Sequence, residues 1–322
     1  MLLSCTALPV MAQSSLMQNL ISTLPAGSVP SDLLSTKTIA LYDPTFSNEE
    51  LEQIQRGFDQ TGVDAVLYCP LDLPMCNRDV QKVFTDYLIK REIKHLLFIQ
   101  KKSSELEFIF TEFTKTKELI KPGQSVWKIS GKSINEISLD IYRTALNNQK
   151  RVNMLVGPLP EFDLKLSFIK GMRAEYFTAD LKMDKLAIIK FGDEPMDKAL
   201  EEIFKTHYPF AYQFFDAGTE EPAIRQKGFL FSLSFINTRG YLALELLEYN
   251  MTKAGSAITS ASYPSGQLQL QSFPADRPIF KFYFKHLENQ NIYLGTRWDA
   301  DPDWQQALLN QIKGLKAELR IN

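Results

Sequence analysis

Twice along this chain an apolar strand runs into a capped amphipathic helix, and the elements that follow keep one order in both halves. Thr38-Ile39-Ala40-Leu41-Tyr42 leads to Ser47-Asn48-Glu49-Glu50, a capping box in which hydroxyl and carboxylate satisfy amides at a helix start. Leu51, Ile54 and Phe58 then recur at helical spacing. In the second half Leu186-Ala187-Ile188-Ile189 leads to Asp193 and Pro195, with Met196, Leu200, Ile203 and Phe204 on one helical face. A further strand follows each helix, Val63–Cys69 in one half and Phe210–Phe215 in the other. A strand-helix-strand passage demands a parallel pair, so the chain is committed to an α/β architecture.

The parallel extends further. Asn77 can cap a helix carrying Val80, Val83, Phe84, Tyr87 and Leu88, whereas the matching segment is cut to a short helix at Glu220–Gln226. Strand pairs are expected at His95–Gln100 with Leu106–Phe110, and at Phe229–Phe235 with Tyr241–Leu246. Each half closes on a strand, Ser125–Ser130 or Asn291–Gly295, and a long helix. The first closing helix starts at the box Ser133–Glu136 and buries Ile134, Ile137, Ile141 and Ala145. The second is expected to start with Asp301 as cap and Pro302 behind it, burying Trp304, Leu308, Ile312, Leu315 and Leu319. A helix is expected before each unit, with Leu16, Leu20, Ile21 and Leu24 in one case and Phe168, Ile169, Met172 and Tyr176 in the other.

The expected fold is therefore α/β with α+β character: two tandem repeats of a mixed sheet packed with helices, in the order α-β-α-β-α-β-β-(β)-α. The boundaries are a signal peptide at 1–12, a first repeat at 13–150, a linker at 151–163 and a second repeat at 164–322. In this reading Ile39 corresponds to Ala187 or its neighbour, and Trp127 to Tyr293. The second copy departs from the first in an extra alternating strand, Phe280–His286, and a long Gly-, Ser-, Ala- and Thr-containing loop, Asn250–Pro278. Loops of that length are usually functional or mobile.

The N-terminus carries an apolar run, Leu2 to Ala12, that turns polar at Gln13. Val10 and Ala12 are the small residues of a cleavage site, so the expectation is export to the periplasm or beyond with cleavage after Ala12. Leu2-Leu3-Ser4-Cys5 is the alternative, a lipobox placing a lipid anchor on Cys5. Cleavage leaves Cys69 and Cys76, which either form a disulfide in an oxidising compartment or stay as buried thiols. No apolar stretch is long enough to span a bilayer, and a net charge of -2 argues against a nucleic-acid partner.

The order of elements, together with the Ser125-Val126-Trp127 strand that enters a helix through Ser133, resembles the small α/β domains at the start of TolB and in the CsgG and LpoB lipoproteins of the bacterial envelope. That resemblance implies an adaptor or assembly partner without catalysis. The shortened second-half helix and the tandem arrangement depart from it.

Residues that carry chemistry are sparse. Asp43–Ser47 and Phe191–Pro195 lack the glycines that wrap a phosphate. His95, His207 and His286 form no metal-spaced pair. Asp299, Asp301 and Asp303 imitate the start of a calcium loop, but Trp304 stands at the glycine position and Asn310 at the final Glu position. Ser265-Gly266 lacks a neighbouring His. No catalytic residue, cofactor or metal is therefore expected. The remaining pointer is aromatic: Phe229, Phe231, Tyr241, Tyr263, Phe273, Phe280 and Phe282 are expected to form a protein-binding patch where the short helix leaves sheet uncovered. The expected function is a non-catalytic envelope protein binding a partner through the second repeat. The alternative is a small-molecule-binding or hydrolytic protein with a site between the repeats.

Overall fold

The computed structural model describes residues 21, 23–102, 105–116, 119–121, 123–148, 151–153, 160–162, 164–250, 255–264 and 267–321. The predicted signal peptide with Cys5, and Leu16 and Leu20 of the predicted first helix, lie outside these residues. The described residues divide into two compact units, one ending at Leu166 and one beginning at Ser167. The fold is α/β in both.

The first unit holds β1 (Lys37–Tyr42), α1 (Asn48–Thr61), β2 (Asp64–Pro70), a single turn α2 (Asp72–Met75), α3 (Arg78–Lys90), β3 (Ile93–Lys102), β4 (Glu105–Glu112), β5 (Trp127–Gly131) and α4 (Ile134–Asn148). Its sheet runs β2-β1-β3-β4-β5. β1 lies parallel to β2 and β3, and the last three strands are antiparallel. Ser47 and Glu50 form the expected capping box, and Gly62 ends α1 in the left-handed region at φ 87°, where a Cβ would be strained. Phe58 of α1 packs on Phe108 and Phe110 of β4. Ile134, Ile137, Ile141 and Ala145 of α4 complete the same core. The chain reverses direction across the sheet at β1, so right-handed crossovers place α1 and α3 on opposite faces. Part of the expected linker belongs to this unit: Glu161 bridges Leu67, and Phe162 stacks on Tyr68.

The second unit holds β6 (Arg173–Ala174), a 3-10 turn (Ala179–Lys182), β7 (Leu186–Ile189), α5 (Glu194–His207), β8 (Tyr212–Phe215), α6 (Glu221–Gln226), β9 (Phe231–Arg239), α7 (Gly240–Leu246), β10 (Ala257–Ser262), β11 (Gln269–Pro274), β12 (Pro278–His286), β13 (Ile292–Tyr293) and α8 (Trp304–Glu318). The main sheet runs β6-β13-β12-β9-β7-β8, and β10-β11 is a separate hairpin. Read from β8, its first five strands have the order and directions of the first sheet, with β6 added at the far edge.

Five expectations fail here, each for a physical reason. Tyr241–Leu246 is a helix, because Leu, Ala and Glu are strong helix formers and Leu242, Ala243 and Leu246 bury a helical face. The partner of β9 is therefore β12, so Phe280–His286 is a central strand and not an extra one. The expected loop 250–278 contains the β10-β11 hairpin. Phe168–Tyr176 is not a helix: Met172 N–H donates to Asn291 Oδ1, and Arg173 pairs with Ile292 as an edge strand. Finally, Asp303 caps α8 by accepting from the Gln305 and Gln306 amides, while Asp301 accepts from the Asp303 amide and its backbone bridges Phe280.

Candidate functional site

The expected aromatic patch does not exist as a surface. Phe231 and Phe282 are core residues, packed with Phe284 against α5 and α8. Phe229 is buried with Ile224 and Leu287 under α6. Tyr263 is buried, its amide donating to Asn310 Oδ1 at 2.9 Å and its carbonyl accepting from Lys313 Nζ at 2.6 Å. Phe280, Phe273 and Tyr241 are half-buried, and Arg277 and Arg239 lie over the last two rings. The sheet face expected to be bare is covered, since Ile236, Ile279 and Tyr283 are all buried. Its cover includes α7, the helix formed by the segment expected to be a strand. Aromatics at alternate strand positions fill a core whenever both sheet faces are packed.

The outer strand of the hairpin is exposed. Its inner strand, β10, is tied down: Ala261 N–H donates to the Trp298 carbonyl at 2.7 Å, and the Ser260 hydroxyl to the Ala300 carbonyl at 2.5 Å. Ile258, Ser260 and Ser262 face inward and are buried. At the hairpin base Gly240 admits the Ile258 side chain, since a Cβ there would meet Ile258 Cδ1 at 2.6 Å. The outer strand, β11, has no strand neighbour beyond β10 among the described residues. Ala275 N–H donates to the Ser256 carbonyl, so by strand alternation the amides of Phe273, Gln271 and Gln269 face β10. Those of Leu270 and Ser272 face away, and Pro274, also at an outward position, has no N–H.

Natural edge strands are usually blunted with charge, bulges or a covering element. Here Leu270 is 72% exposed and Leu268 41%. From Ala254 to Ala275 the chain contains no Asp, Glu, Lys, Arg or His. An open, uncharged edge with protruding leucines is chemically suited to accept an extended strand, through backbone hydrogen bonds plus alternate side-chain contacts. The sequence carried this signal in its uncharged stretch, but the open edge depends on which side of β10 is already bonded.

Beside the hairpin lies a polar cluster that the sequence reading missed. Lys281 is fully buried, and its Nζ donates to Asp299 Oδ1 at 2.6 Å, Gln311 Oε1 at 2.8 Å and the Leu294 carbonyl at 2.8 Å. Burial pushes the Lys281 ammonium down and the Asp299 carboxyl up from their ordinary pKa values, and their mutual attraction opposes both shifts. With all three ammonium protons donated, Lys281 has no free hydrogen for a substrate and acts as an internal tie between β12, the chain before α8 and α8 itself.

The other candidate residues are scattered. Cys69 and Cys76 are buried thiols, with Cys69 Sγ donating to the Pro70 carbonyl at 3.5 Å and burial pushing the Cys76 thiol up. His95 is buried with Nε2 2.8 Å from Asp32 Oδ1, and His286 packs edge-on against Phe231. No group of acids, Cys and His suited to a metal occurs among the described residues. In doubly wound sheets, ligands sit where the crossover direction reverses. That point in the second unit is occupied by Phe191, edge-on to Phe235 and Trp304. A shallow depression of about 440 Å³ is lined by Pro222, Arg225, Gln226, Phe229, Leu230 and Glu288. It sits near the Phe231–His286 end of the β9-β12 ladder, whereas the hairpin joins the Arg239–Pro278 end. The short helix and the hairpin thus cannot form one surface. Comparison with family models, with characterised proteins and with solved structures finds no match to this chain.

Proposed function

We propose that this chain is a non-catalytic exported protein of the cell envelope, acting as a binding or assembly adaptor that takes up an extended strand on the open edge of β11. One observation carries the proposal: β10 is hydrogen-bonded on both edges, by β11 and by the Trp298 carbonyl, while among the described residues β11 is bonded on one. Exposed Leu268 and Leu270 beside that edge supply apolar contact area. Export is supported by the apolar run to Ala12 with small residues at Val10 and Ala12. The resemblance to the envelope domains of TolB, CsgG and LpoB supports an adaptor role. The shared order of five strands supports descent of both units from one ancestral unit.

The test places a photo-crosslinking residue at Leu270, and as control at Arg225 beside the depression, in protein made in its native envelope. Crosslinked adducts at Leu270 and none at Arg225 are the expected result. Adducts at Arg225 alone would move the working surface to the short helix and overturn the reading.

A further inference from the structure

Resting on the reading that the β11 edge takes up an extended strand, we infer that the strand it takes up is β11 of a second copy of this chain, paired antiparallel about a two-fold axis at Gln271. The backbone groups match. Leu270 and Ser272 direct N–H and C=O outward, as the alternation from the Ala275 bond to Ser256 requires. With the axis at Gln271, Leu270 stands opposite Ser272 of the other copy and Ser272 opposite its Leu270. Each such pair exchanges two N–H···O bonds, so every outward donor and acceptor at these positions is used. Pro274, which has no N–H to offer, falls outside this central set.

The side chains agree with the backbone. Leu270, Ser272 and Pro274 share the exposed face of β11, whereas Gln271 and Phe273 are half-buried on the inner one. The two-fold brings the Leu270 side chains of both copies into diagonal contact, a separation that large apolar side chains bridge.

Charge selects the occupant. Identical charged strands laid edge to edge repel, which is one way natural edges avoid self-pairing. In a chain that is 23% charged, the stretch Ala254–Ala275 has no Asp, Glu, Lys, Arg or His, so a second copy meets no such barrier. An edge of this length buries less area than a standard interface, so the dimer is weak and concentration-dependent.

Sedimentation of the full chain from about 10 μM to about 1 mM tests this, a range suited to an interface below standard size. The expected result is a monomer–dimer equilibrium whose constant changes less than about twofold between low and high salt, because the paired strands carry no charged side chain. Leu270→Pro removes the outward amide without touching the ladder to β10, and Leu270→Lys sets like charges across the axis; each should weaken dimerisation at least about tenfold. Ser272→Lys, at an exposed position, repeats the test independently. An equimolar mixture of Leu270→Lys and Leu270→Glu should recover the dimer that each alone has lost. Circular dichroism and thermal melting confirm that each variant is folded. A wild type still monomeric at the highest concentration, or a dimer unmoved by folded Leu270 and Ser272 variants, overturns the inference. If Leu270 crosslinks to a different protein while the chain sediments as a monomer, the self-pairing fails and the adaptor reading survives.

Discussion

Replacing Lys281 by Met tests whether the second unit is held by a buried charge pair. Lys281 is fully buried and Asp299 is 4% exposed, with 2.6 Å between ammonium and carboxylate. Methionine keeps an apolar stem as far as Cε but leaves the Asp299 carboxylate buried without its counter-ion. Breaking one side of such a pair costs about 3–5 kcal/mol. That is a large share of the roughly 5–15 kcal/mol that stabilises a typical domain. In a unit of about 150 residues, each kcal/mol moves the melting temperature by about 2–4 °C, so a fall of roughly 6–20 °C is expected. The double variant Lys281→Met with Asp299→Leu removes both charges. It still leaves Gln311 Oε1 and the Leu294 carbonyl without the donor they had, at about 1–3 kcal/mol. The double variant should therefore recover part of what the single one lost. Urea unfolding of wild type, both single variants and the double variant closes the cycle. A Lys281→Met protein within about 1 kcal/mol of wild type, or a double variant no more stable than that single, refutes the reasoning.

Two further outcomes are expected. Gly171→Ala places a Cβ about 2.5 Å from the backbone of Asn289–Asn291, so the β6 edge must move; a loss above about 2 kcal/mol in chemical denaturation is expected, and an unchanged midpoint would show that the segment is loosely packed. Burial pushes His95 below its ordinary pKa, against the opposing pull of Asp32, so below about pH 6.5 the unfolded chain binds the proton more readily than the folded one and stability falls with pH. His95→Gln should flatten that slope between about pH 7 and pH 5, and an unaltered slope would assign the acid sensitivity elsewhere.

Local chemistry explains why the first unit is so legible. The Ser47–Glu50 box and the Asn77 cap each work within three residues of themselves, whatever the rest of the chain does. At the start of α4 Ser133 accepts from the Glu136 amide as expected, while the Glu136 carboxylate accepts from the Lys132 amide. The strand-helix-strand passages likewise dictated parallel pairing, because no short turn can join parallel neighbours.

Tertiary contacts decided the remainder, where local signals were balanced or silent. Tyr241–Leu246 satisfies a two-residue and a 3.6-residue period about equally over so short a run, and packing against the β9-β12 face selected the helix. Asp301 and Asp303 are both competent caps; the bridge from the Asp301 backbone to Phe280 left Asp303 to receive the helix amides. Lys281 sits in an aromatic run where sequence alone cannot reveal its burial, since its partners lie 13, 18 and 30 residues away. The candidate binding edge belongs to the same class. Its lack of charge is written between Ala254 and Ala275, but the open side of β11 exists because Trp298, distant in sequence, already bonds the far edge of β10.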